Sequence, residues 1–145
     1  MGISGLAADG FGGVNVEQLT YGMTKTVSSS FDATVARVRK LLAEEGFGVV
    51  TEIDVKGTMK AKLDRDFSPY VILGACNPQL ALQILSAEPQ LGLFLPCNVI
   101  IFQDAAGTTV SAMDPPAMLA LSGVDGVEAV AAEVKARLER VMIQV

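Results

Sequence analysis

Histidine is absent from all 145 residues. That removes the side chain whose unperturbed pKa lies nearest neutrality, and with it the Ser-His-Asp and Cys-His arrangements and every histidine-ligated metal site. Lysine and arginine are missing from Asp66 to Val134, and eight of the eleven basic residues lie between Lys25 and Arg65. A nucleic-acid surface needs clustered cations that release counterions from phosphate, so no nucleic-acid partner is expected, least of all in the half that holds both cysteines. The densest basic run, Lys56, Lys60, Lys62 and Arg65, reads as a solvated face, with an anion contact as the alternative. The longest apolar stretch, 91–102, is broken by Pro96 and Asn98 and falls short of the roughly 18 residues of a membrane span, so no membrane partner is expected either. There is no GxxxxGK[ST], and the lone Gly-Phe-Gly-Gly at 10–13 lacks the strand and helix that would make it a phosphate loop. Residues 1–22 contain no Lys or Arg and no continuous apolar core, which argues against a secretory signal and for a cytoplasmic location.

What is present is half apolar, with a formal net charge of −5. One domain of this length buries roughly 70% of the surface its unfolded chain exposes. The apolar share exceeds what such a monomer needs to hide, which points to a homodimer or a lined pocket. Six of the 14 glycines fall in residues 1–22, read as a flexible glycine-rich extension ahead of a single domain at 23–145.

Local patterns then order the elements. Lys25 to Ser28 reads as a strand, and Ser30 supplies an N-cap oxygen for a helix from Phe31 to about Glu45 with Phe31, Val35, Val38, Leu41 and Leu42 on one stripe. Gly46 follows as its stop. The run GFGVVTEIDV reads as a strand whose alternation sets Val49, Thr51, Ile53 and Val55 on one face and Val50, Glu52 and Asp54 on the other. Residues 57–65 suggest at most a helical turn. Tyr70 to Ala75 is an almost wholly apolar strand, of the kind buried on both faces. Asn77 and Pro78 have the cap-then-proline signature of a helix start, and Pro89 ends that helix. Asn98 to Gln103 and Thr108 to Met113 flank a hairpin turn at DAAG. Asp114 with Pro115 and Pro116 opens a short helix, and Val127, Val130, Val134, Leu138 and Val141 define one face of a C-terminal one. Hairpins mixed with helices predict an α+β fold, a two-layer sandwich of mainly antiparallel sheet with helices packed on it.

Chemistry falls to few residues. Cys76 and Cys97 are the only soft nucleophiles. A helix N-terminus beside Cys76 favours thiolate, whereas burial at an apolar strand end keeps the thiol neutral. The alternatives are inert core thiols; a reversible disulfide, which needs Cα atoms within about 7 Å; a metal site completed by Glu52, Asp54 or Asp114 or by a second copy; and a small-ligand pocket using both thiols with Asn77 and Asn98. Glu52 and Asp54 share a strand face, where they form either an acid pair for a cation or proton or the wet side of a sheet. Asp114 reads most simply as a helix cap.

The segments TEIDVKGTMKAKL, PYVILGACNPQLA and EPQLGLFLPCNVII, with the valine-rich strand ending in MDPPAML, resemble the prokaryotic family catalogued as domain of unknown function 302, over about residues 22–142. GACNP and LPCN are the most specific part. The resemblance implies a compact α+β domain and homodimers, without a particular reaction or cofactor, and it puts Cys76 and Cys97 first and Glu52, Asp54 and Asp114 second as site positions. The reading is therefore a small soluble domain that binds a small molecule or metal, or performs thiol redox chemistry, around Cys76 and Cys97. The alternative is a non-catalytic dimeric interaction protein with buried thiols.

Overall fold

The computed structural model of the protein describes residues 15–145. Ser30, in extended conformation, accepts a hydrogen bond from the Ala33 N–H at 3.2 Å and starts α1, Phe31–Glu44, whose Thr34, Val38, Leu41 and Leu42 are buried. Gly46 stops it at φ 83°. Side-chain caps repeat down the chain: Asp54 for α2, Val55–Leu63, Asn77 for α3, Pro78–Ala87, and Asp114 for α4, Pro115–Ala120. A 3-10 helix, Pro89–Phe94, follows α3, and α5, Glu128–Gln144, closes the chain.

The strands are β1, Glu17–Gln18; β2, Gly22–Val27; β3, Gly48–Asp54; β4, Tyr70–Cys76; β5, Cys97–Asp104; and β6, Gly107–Met113. They form one antiparallel sheet in the order β1-β2-β6-β5-β4-β3. The α+β two-layer expectation holds. The core lies on one side of the sheet, where Met23, Leu73, Ala75, Val99, Ile101, Val110 and Ala112 meet Val38, Leu41 and Leu42 of α1 and Val134, Leu138, Val141 and Met142 of α5. A smaller cluster of Ile84, Leu91, Leu119, Val127, Val130 and Ala131 joins α3, the 3-10 helix, α4 and α5. Lys25 ties the sheet to the last turn of α5, its Nζ donating to the carbonyls of Met142, Ile143 and Val145 at 3.1–3.2 Å.

Three local expectations change. The sheet begins inside the stretch expected as a lead-in: Val16 is fully buried, β1 is formed by 17–18 and β2 starts at Gly22, while the expected flexibility of residues 1–14 lies outside the described residues. Residues 55–63 form a full helix rather than a turn, because Asp54 accepts from the Gly57 N–H at 3.0 Å and Asp64 ends the helix at φ 51°. The alternation in β3 is broken by a bulge between Val49 and Thr51. Val49 pairs with Ala75 and so faces the helices, whereas Thr51 and Ile53 pair with Gly74 and Ile72 and face away from them. Glu52 and Asp54 keep a common face, opposite Leu73 and Val71 on the helix side.

Candidate functional site

Cys76 is the last residue of β4 and Cys97 the first of β5. Both are free. The β4–β5 register sets Cys97 across from Ala75, and the β3–β4 register sets Cys76 across from Gly48. The strands thus bring both residues to one end of the sheet without making them a facing pair, since neighbouring positions on a pleat point to opposite sides. The reversible-disulfide reading is corrected on this ground.

Both thiols nonetheless border the same small cavity, of about 20 Å³, together with Phe47, Asn77, Leu80, Ile84 and Phe94. That is room for about one water molecule. Cys97 is 5% exposed, and burial, followed by the neighbouring Cys76 thiol, pushes its pKa from an ordinary 9.0 up to about 11. A thiol held neutral this way is a poor nucleophile and a poor metal ligand.

Asn77 uses its side-chain oxygen to cap α3, accepting from the Leu80 N–H at 3.1 Å. Asn98 is exposed, and alternation along β5 turns it to the face opposite Cys97, away from the cavity. Glu52 makes an ion pair with Arg39 of α1. With Asp54, Lys56, Tyr70 and the first turns of α1 they line an open groove of about 670 Å³. Glu52 and Asp54 therefore lie at a different place from the cysteines. Asp114 is buried; one oxygen accepts from the Ala117 N–H at 3.0 Å, and the other accepts from Lys135 Nζ at 2.8 Å and Gln18 Nε2 at 3.1 Å. Among the described residues no three His, Cys, Asp or Glu side chains converge on a point where a metal ion would sit. The donor set for the expected metal site is therefore not assembled within one copy.

Two cations that sequence reasoning passed over come from α5. Lys135 neutralises Asp114, and the Arg137 guanidinium donates to the Glu45 carbonyl at 3.0 Å and to Glu133 at 2.7 Å. A Cβ on Gly46 would lie 2.8 Å from Asn77 Nδ2 and 3.0 Å from Arg137 Nη1, so this glycine is where the α1 terminus, the α3 cap and α5 meet. Gly46, Asn77 and Arg137 lie too far apart in the chain for any local pattern to show that meeting. No helix among the described residues is long and apolar enough to cross a membrane.

The profile of the family described as "Domain of unknown function DUF302" matches residues 23–145. A crystal structure of an uncharacterized conserved protein DUF302 from Bacillus stearothermophilus is similar, with 31% sequence identity and a TM-score of 0.76, over 82% of this chain and 93% of that one. No curated protein matches.

Proposed function

The chain belongs to the DUF302 family, and from that premise we propose that it works as a non-catalytic homodimeric interaction domain whose thiols are structural. One observation carries the reading: of the candidate side chains, Cys97, Asn77, Asp54, Asp114 and Glu52 are already engaged in the fold, which leaves the half-buried Cys76 thiol and the exposed Asn98 amide unengaged. Cys97 is sealed in the core, Asn77, Asp54 and Asp114 cap helices, and Glu52 is paired with Arg39. A catalytic group needs to be free to touch a substrate or to change its protonation state near the working pH. None of these is placed to do so. The apolar half of the composition supports a second copy as the partner.

A second reading has its own support, because Cys76, Asn77 and Cys97 line one apolar cavity. Ligand pockets usually run to about 300–1,000 Å³, so an apolar ligand would enter only if α3 or the 3-10 helix moved aside. Thiol counting separates the readings. Anaerobically purified protein is expected to leave Cys97 unmodified by a thiol reagent until denaturant is added, to carry no stoichiometric metal, and to show no rise in Tm with small apolar compounds such as benzene. Modification of Cys97 in the native protein as fast as a free thiol, or a bound metal lost in Cys76→Ser, overturns the structural reading. A saturating rise in Tm with benzene favours the ligand reading instead.

A further inference from the structure

The sheet ends differently at its two sides. On one side β1 is two residues long, and on the other β3 offers a seven-residue edge, Gly48–Asp54. Beyond the ladder to β4, no backbone N–H or C=O of residues 48–53 is hydrogen-bonded among the described residues. The edge is open to solvent: no residue of β3 is buried, and Val50 and Ile53 are 61% and 47% exposed. The bulge at Val50 bends its start and leaves Thr51, Glu52, Ile53 and Asp54 in an unbroken ladder with Gly74, Leu73, Ile72 and Val71. Directly after the strand, α2 and the loop beyond it form a cleft of about 400 Å³ lined by Lys56, Lys60, Arg65, Asp66 and Phe67. Lys60 is held by Asp64 and Asp66, whereas Lys56 and Arg65 are exposed and in no ion pair among the described residues.

Unpaired groups along an edge strand template a further strand, so sheets blunt their edges by shortness or by a covering element. β1 is blunted by its length; β3 has neither device. We infer that the β3 edge takes up an extended segment of another protein, whose backbone adds a strand to the sheet and whose carboxylate at one end meets Lys56 and Arg65 in the adjoining cleft. The inference rests on the interaction-domain reading above and names its partner. Only a second backbone in extended conformation presents N–H and C=O groups at the spacing of the ladder. Thr51 and Ile53, exposed on the face away from the helices, favour β-branched residues at alternate positions beside them. The two unpaired cations favour an acid at the end that reaches α2. A second copy fits this edge less well, because a two-fold pairing of β3 with itself brings the Glu52 and Asp54 carboxylates of both copies onto one face.

Solution NMR on the isotope-labelled full chain tests it with the synthetic peptide Glu-Asp-Val-Thr-Val-Thr-Val-Asp-Glu, acidic at both ends so that either strand direction can engage α2. Saturating peptide is expected to slow the exchange of alternate amides within 50–54 by about tenfold or more, and to leave the amides of β5, already paired on both sides, as they are. Two copies of the peptide, each N-methylated on one alternate set of residues, should part. The copy methylated on the side facing β3 binds at least about tenfold more weakly, and the other binds as the parent does. The double variant Lys56→Glu with Arg65→Glu, at exposed positions, and a lysine-ended peptide should each weaken binding by about tenfold. No response of the β3 amides, equal binding by both methylated copies, or an affinity untouched by charge reversal overturns the inference. So does a β3 edge that is already protected in the free protein and released on dilution, which assigns it to a second copy. The structural-thiol reading is judged separately, on the reactivity of Cys97, and stands or falls whatever the peptide does.

Discussion

At the scale of single residues, Cys97 makes the sharpest energetic statement. Its folded pKa, about 11, lies above the ordinary 9.0, so the neutral thiol is what folding favours. Below pH 9 both folded and unfolded chains hold the proton, and the contribution to stability is complete. Between pH 9 and 11 the unfolded chain ionises and the folded one does not, and roughly 2–3 kcal/mol is lost over that window. Urea midpoints measured across pH 8–11 should fall more steeply for the wild type than for Cys97→Ala; equal slopes would refute the burial argument. The sequence made the thiol's presence at a strand end legible, since PCN precedes a β-branched run. Its burial depends on α3 and the 3-10 helix closing over it, which no local pattern records.

Among the elements, α4 shows how one carboxylate can serve two levels of structure. Asp114 caps the helix, as the Asp-Pro-Pro sequence indicates, and it also anchors α5 through Lys135, which the sequence places 21 residues away. The pair is partly buried, with side-chain exposures of 6% for Asp114 and 27% for Lys135. Removing one partner strands the other. Asp114→Ala is expected to destabilise the protein by about 3 kcal/mol, and Asp114→Asn by less, because the amide oxygen still accepts from Ala117 while the charge partner of Lys135 is lost. Chemical denaturation of both variants checks the order; equal losses would mean that the cap contributes nothing. In β3 the failure of legibility has a single cause. One bulged residue, Val50, shifts the phase of all that follows, and a period-two reading has no way to see an inserted residue.

At the scale of the whole molecule, protection is uneven. β4, β5 and β6 carry the core, whereas no residue of β3 or α2 is buried. Elements with little buried apolar surface open at lower free energy. Hydrogen exchange read by mass spectrometry should therefore exchange peptides from 48–66 well before those from 97–113. Uniform protection would contradict this division. The same unevenness explains why the helical elements were easier to read than the site: caps, prolines and stop glycines act within a few residues, but the cavity at Cys76 and the groove at Glu52 are each assembled from several distant segments.

By itself, then, the sequence determined the local devices: the oxygen caps at Ser30, Asn77 and Asp114, the helix stop at Gly46, the hairpin at 104–107, and the doubly apolar character of β4. These are set by backbone hydrogen bonds and side-chain periods that span a turn or two. Only the tertiary structure decided which groups are free. It set the two thiols at one end of the sheet without facing each other, separated Glu52 and Asp54 from them, and brought Lys135 and Arg137 back from α5. The physical reason is that strand register and helix packing are settled by the burial of the whole core, a sum over residues far apart in the chain.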